Sequence, residues 1–330
     1  MSPTGVVPPP APTAAPRGTK PASTIKPRPL TERKRAARSA RRWQMAGLAV
    51  AIVVMIGAVA ALAANHRPPK PQANAALAQT GSQSLANAAA VRGQAVRWVA
   101  TQVGRDVSVA CDHATCSALA AAGFPAGNVN VLQPTAPDPY GSVLVIATAA
   151  VRSQFGGKLG AVYAPQVIAS FGVGLTRIDV RVIAPQGPAA FRTALSADLA
   201  ARTSSGAQLL RNARITVSAG ARLPLASGVV DSRLLTTMAF LAGQVPIDIV
   251  GFGPPAPGAG PGVQLRTVYL AESDATAHMS SSAYVQTLES VLHSQSPPYV
   301  PLTVTSAQFG GSPVLQVEFG APSPLGLLHS

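Results

Sequence analysis

The sequence predicts a mixed α/β protein, with a single N-terminal transmembrane helix followed by two small α/β domains. An uncharged apolar block runs from Met45 to Ala64. Short β-branched runs alternate with helix-patterned stretches across residues 91–185. The same alternation resumes across 186–330 after the break at Pro185–Pro188.

Residues 1–44 read as a disordered, basic cytoplasmic tail. The first thirty residues are rich in Pro, Ala and Thr and hold few large apolar side chains. They cannot bury enough surface to offset the entropy of ordering. Before Trp43 there are ten Lys/Arg, from Arg17 to Arg41 and Arg42, opposed only by Glu32. The block 45–64 is twenty residues long. At about 1.5 Å per residue it reaches about 30 Å, enough to cross the hydrocarbon core. Beyond it only Arg67 and Lys70 follow closely, so the positive-inside rule predicts a cytoplasmic N-terminus and an extracytoplasmic remainder. Arg41, Arg42 and Trp43 fall at the membrane interface, and the lipid bilayer is the partner this segment predicts. Topology and lipid attraction account for the basic run, so no nucleic-acid partner is expected. A cleaved signal is the competing reading. Ala61-Leu62-Ala63 matches a small-x-small pattern, but a secretory apolar region is usually shorter and its leader briefer.

Charge divides the chain unevenly. The first 43 residues carry a net of nine positive charges, and the sixteen basic and eleven acidic residues beyond them carry a net of five. The extreme pI belongs largely to the tail, and the remainder is mildly basic, a surface that suits anionic glycans or lipid headgroups. The abundance of Ala, Gly, Pro and Arg with little Lys points to a genome rich in G and C, which concerns codons and not function.

Residues 65–90, rich in Ala, Gln, Asn, Ser and Pro, read as a spacer. In 91–185, Val91, Ala95, Trp98, Val99 and Val103 share one helical face. "DVSVAC" and "NVNVL" read as strands around a helix, "ATCSALAAAGFP", stopped by Gly123 and Pro125. "PTAPDPYG" is a turn-rich loop, "SVLVIAT" a buried strand and "VRSQFGGKL" a helical stretch. "PQVIASFG" and "TRIDVRVIAP" read as paired strands, the second alternating Ile178, Val180 and Val182 with Arg177, Asp179 and Arg181.

This stretch resembles the extracytoplasmic C-terminal domain of actinobacterial dolichyl-phosphate-mannose-type glycosyltransferases. The features that carry the likeness are the order "RWVATQV", "VSVACDHATCSALAAAGFPAGNV", "DPYGSVLVIATAAVRSQF" and "VIASFGVGLTRIDVRVI". Those enzymes keep their catalytic acidic loop in a membrane part that has no counterpart here. The resemblance therefore implies a shared accessory domain and not transferase activity.

Residues 186–330 read as a second domain. "AAFRTALSADLAARTSSGAQLLRN" is helical, "ARITVSA" extended, and "VVDSRLLTTMAFLAGQ" an amphipathic helix with Leu234, Leu235, Met238, Leu241 and Ala242 on one face. "VPIDIVGFG" and "VQLRTVYLAE" are strands flanking the loop "GPPAPGAGPG", which reads as a flexible surface loop or an exposed binding lip. A helix, "SAYVQTLESVLHS", precedes a hairpin turning at Gly310-Gly311. Residues 205–270 are faintly similar to actinobacterial domains related to zinc D,D-peptidases. They depart from that pattern at the ligands: residues 254–261 contain no His, and Arg266 stands where an acidic ligand is expected. The similarity implies a scaffold without the hydrolase.

Candidate chemistry is sparse. Cys111 and Cys116 form a C-x4-C pair on the side where disulfides persist, and are expected to be bridged. A metal or redox site using His113 is the alternative, but it lacks a fourth ligand. The five histidines, His66, His113, His278, His293 and His329, show no metal-binding spacing. Asp231 reads as a helix N-cap, Asp138 as a turn residue, and Asp179 as an ion-paired strand residue between Arg177 and Arg181. No catalytic, cofactor-binding or metal-ligating residue is assigned, and no cofactor is expected. The sequence therefore predicts a membrane-anchored binding or accessory component of cell-envelope or glycan machinery, with envelope glycan or membrane glycosyltransferase machinery as partners. The alternatives are a cell-wall hydrolase with an unrecognised site and a scaffold presenting its cytoplasmic tail.

Overall fold

The computed structural model describes residues 72–273 and 280–328, with side chains from Ser82 onward. The tail 1–44, the block 45–64, Arg41, Arg42, Trp43, His66, His278 and His329 lie outside the described residues. Among the described residues no helix is long and apolar enough to cross a membrane.

Two five-stranded mixed sheets organise the chain. The first follows helix α1 (Gln72–Gln102), which begins well inside the stretch read as a spacer. Its alanines and glutamines are good helix formers, and no proline interrupts it after Pro71. Next come β1 (Val109–Cys111), α2 (His113–Ala121), β2 (Val129–Val131), β3 (Leu144–Ala147), α3 (Ala149–Phe155), β4 (Gln166–Phe171) and β5 (Ile178–Val182). The strand order is β2-β1-β3-β5-β4; β1 runs parallel to β2 and β3, and β5 antiparallel to β3 and β4. β1 and β3 are buried throughout, which is why they read as unbroken apolar runs and not alternating ones. α1 and α2 cover one face through Ala95, Trp98, Val99, Cys116 and Leu119, while Val151 and Phe155 of α3 cover the other.

The second sheet is built from α4 (Pro188–Arg211), β6 (Ile215–Val217), α5 (Ala219–Ala226), α6 (Ser232–Gln244), β7 (Ile247–Phe252), β8 (Thr267–Glu272), α7 (Ser281–His293), β9 (Thr303–Phe309) and β10 (Ser312–Glu318). Its order is β6-β7-β8-β10-β9, with only β6/β7 parallel. β7 alternates buried and half-buried residues, and Ile247, Ile249, Leu270 and Val317 pack beneath α5, α6 and α7. α5 is not announced by the sequence pattern because Pro224 lies inside it. Ser218 starts the helix by accepting from the Ala221 amide.

The two sheets belong to one unit, Ala73–Ser330, and two segments join them. The first is "GPPAPGAGPG", which is not a free surface loop. Ser170 N donates to Gly258 O at 2.8 Å and Gly260 N donates to Ile168 O at 3.0 Å, so this segment pairs with the outer edge of β4. Such close approach requires glycine. A Cβ on Gly258 would lie 2.7 Å from the Phe171 ring, and one on Gly260 2.6 Å from Val167 O.

The second segment is residues 319–326. Ala321 N donates to Gln102 O and Gly104 N to Ala321 O, which sets this segment beside the end of α1. Buried charges of the second sheet's helices hold its other side. Asp231, fully buried, caps α6 through the Arg233 amide at 2.8 Å, pairs with the Arg233 guanidinium at 2.7 Å and accepts from Ser323 Oγ at 2.5 Å. Arg233 also donates to Gly320 O and stacks 5.0 Å from the Phe319 ring centroid. Asp198 pairs with Arg202 at 2.7 Å and accepts from Gly326 N. Removing one partner of a buried pair leaves the other charge uncompensated. Asp231→Ala is therefore expected to lower unfolding free energy by about 3–5 kcal/mol, and Ser323→Ala by about 1 kcal/mol, in urea titrations.

Candidate functional site

Open α/β sheets usually bind ligands beyond the carboxyl ends of parallel strands, where successive connections leave on opposite faces. Here that point lies between β1 and β3, since α2 packs on one face and α3 on the other. The chain's own carboxylate occupies it. Asp112 caps α2 by accepting from Thr115 N at 3.0 Å and also accepts from Thr115 Oγ1 and, at 2.5 Å, Thr148 Oγ1. Thr148 is in turn the N-cap of α3. Burial alone would raise the Asp112 pKa, but these bonds and the positive charge of Arg92 outweigh it and hold the carboxyl below its ordinary value.

Cys111 and Cys116 flank this cap and are joined by a disulfide, with Cα atoms 5.4 Å apart. His113 between them is exposed. Among the described residues no group of three His, Cys, Asp or Glu is placed to hold a metal. His293 lies in the last turn of α7, its Nδ1 2.7 Å from Glu289 O. The carboxylates have structural tasks. Asp138 accepts from the Tyr140 amide, and Asp179, nearly fully buried, pairs with Arg177 at 2.7 Å and Arg181 at 3.2 Å and accepts from Ser170 Oγ. Asp179 thus lies inside the fold, not on an open strand face. Both faces of the first sheet are covered, so Asp179 on the polar side of β5 is buried while its partners Arg177 and Arg181 reach toward solvent.

A second set of polar side chains converges elsewhere. Gln94, Arg97, Trp98, Thr101 and Gln102 lie at spacings of three, four, seven and eight along α1, hence on one side of it. With Ser170, Phe171 and Gly172 at the end of β4, and with Pro257 and Gly258, they line a groove of about 590 Å³. Trp98 and Phe171 form its apolar base, their ring centroids 6.3 Å apart and tilted by 59°. A smaller hollow of about 150 Å³ continues past Gln102 toward Pro254, Gln264 and Thr267.

Arg266 lines the smaller hollow and holds Gln102 in place. It donates to Gln102 O at 3.0 Å, Phe319 O at 2.9 Å and Gln102 Oε1 at 3.1 Å. Burial pulls its pKa down, while the nearby charges of Asp231 and Glu318 push it back up. Gln102 Oε1 is therefore taken, and its amide N–H groups remain as donors. No carboxylate lines the larger groove. Its rim of donors, one of them the Arg97 guanidinium, fits a ligand rich in acceptors and carrying negative charge.

Beside the groove the β4–β5 hairpin turns through Gly172 and Gly174, and displays Val173 and Leu175 at 81 % and 90 % exposure. Arg152 braces this tip by donating to Ala147 O at 2.7 Å, to Leu175 O and to Arg177 O. The sequence reading did not assign Gln94, Arg97, Phe171 or Pro257. The helical spacing on α1 was visible, but the opposite wall comes from positions about 70 and 160 residues away.

A depressed carboxylate pKa contributes stability above the unfolded value and loses it as pH falls through the folded one. Thr148→Val is accordingly expected to cost about 1 kcal/mol at neutral pH, partly screened because Asp112 is only half-buried. That cost should shrink below about pH 4, leaving only the loss of the α3 cap, in denaturation curves taken across pH. Neither protein-family models, nor curated proteins, nor solved structures match this chain.

Proposed function

We propose that this chain is a membrane-anchored, extracytoplasmic binding protein, an accessory component of cell-envelope glycan machinery, whose groove beside α1 takes an acidic glycan. The observation that carries this reading is the division of labour among polar groups. Asp112, Asp179, Asp198 and Asp231 are engaged in caps and ion pairs, whereas Gln94, Arg97 and the Gln102 amide gather as donors around an apolar base. Amide and guanidinium donors beside an aromatic ring suit a sugar bearing carboxylate or phosphate, with orientation set by the polar rim and apolar contact by Phe171, which the buried Trp98 supports from behind. The likeness of 91–185 to an accessory domain of glycosyltransferases supports the same reading. The charge step across the block 45–64 supports the topology, with residues 65–330 outside.

Two measurements test it. In intact cells, a membrane-impermeant maleimide is expected to label Leu85→Cys and not Ser39→Cys; the reverse pattern would refute the topology. The full chain in nanodiscs is expected to bind a uronate-containing oligosaccharide and to ignore its carboxyl-reduced counterpart. Arg97→Gln should weaken that binding about tenfold, the loss of one charge-assisted hydrogen bond. Equal binding of the neutral sugar, or of the acidic sugar by Arg97→Gln, would sink the ligand assignment.

A further inference from the structure

The two sheets treat their outer edges differently. β4 is covered by Gly258–Gly260, whereas among the described residues β9 has no backbone partner besides β10. Exposed edges are ordinarily guarded by charged residues, proline or a bulge. β9, "TVTSAQF", has no charge and no proline, and its seven pairs with β10 run without a register shift. Thr303, Thr305, Ser306, Gln308 and Phe309 are all exposed.

Which amides face outward follows from the ladder. Phe319 N donates to Arg266 O, so residues 315, 317 and 319 bond toward β8. Their neighbours 314, 316 and 318 bond toward Ala307, Thr305 and Thr303 of β9. Val304, Ser306 and Gln308 therefore direct N–H and C=O away from the sheet.

We propose that β9 pairs antiparallel with β9 of a second copy of this chain, about a two-fold axis at Ser306, to make one continuous ten-stranded sheet. In that register Ser306 meets its own copy, and Val304 meets Gln308 of the other chain on both sides. All the outward groups of 304, 306 and 308 are then satisfied by about six hydrogen bonds. Any other symmetric register satisfies fewer. An uncharged strand is what such self-pairing needs, because like charges near the axis would face each other at close range. The nearest acid, Glu318, pairs with Thr303 at the far end of the strand, away from the axis.

The test uses the full chain purified in detergent, where Cys111 and Cys116 are tied to each other and an introduced cysteine is the free thiol. Across the axis, hydrogen-bonded partners lie about 5.5 Å apart at Cα, inside the disulfide range. Thr303 lies about 20 Å from its own copy, at about 3.4 Å per residue. Under mild oxidation Ser306→Cys is expected to form a covalent dimer with at least about tenfold greater yield than Thr303→Cys. Adding Gln308→Pro, which removes only an outward amide and leaves the β10 ladder intact, should reduce the Ser306→Cys yield to the Thr303→Cys level with no change in thermal unfolding. Equal yields from the two cysteines would overturn the proposal, as would a Ser306→Cys dimer that persists beside proline at 308. A strand from a different protein on this edge would leave Ser306→Cys monomeric and overturn it equally.

Discussion

Guanidinium and carboxylate groups cannot be left bare in an apolar interior, and the joint between the two sheets follows from that constraint. Arg233, Arg266, Asp198 and Asp231 are all buried. Two ion pairs meet part of their demand, and carbonyl, amide and hydroxyl groups of residues 319–326 meet the rest. Because Arg266 also takes both the carbonyl and the side chain of Gln102, the end of α1 is fixed by the same groups. The groove inherits its geometry from this arrangement, since Gln102 is at once a ligand of Arg266 and a wall of the groove.

The first sheet shows how a familiar architecture can lose its familiar site. Its order and its crossing of connections create the crevice in which α/β sheets hold anions. Asp112 fills that position from within, bridging the starts of two helices through Thr115 and Thr148. The disulfide one residue away closes the same turn covalently. The larger groove lies instead on the flank of the sheet, where a helix side, a strand end and a glycine-proline segment meet.

Much of the fold was legible because local chemistry and tertiary demand agree. The alternation of β7, the unbroken apolar runs of β1 and β3, the Asp231 cap and the turn at Gly310-Gly311 each have a local signature that the structure satisfies. α5 was not legible because proline inside a short helix mimics a loop. The pairing of Gly258–Gly260 with β4 was hidden for a different reason. Glycine and proline signal irregular backbone, yet here they permit an approach too close for any Cβ. The groove was half-legible: its helix wall had the right spacing, but its other walls are joined to it only through the fold.

Synthesis proceeds from the N-terminus, and this gives the segment 319–326 a temporal meaning. The arginines at 233 and 266 emerge well before the carbonyls of Phe319 and Gly320 that they bind. Until those residues leave the ribosome, both guanidiniums must stay hydrated, so this part of the joint closes only after Phe319 and Gly320 have emerged. The first sheet's strands are all contained in residues 109–182 and carry no such dependence. The second sheet waits on the same stretch of chain, because β10 lies between β8 and β9 and emerges just before the carbonyls that Arg233 and Arg266 bind.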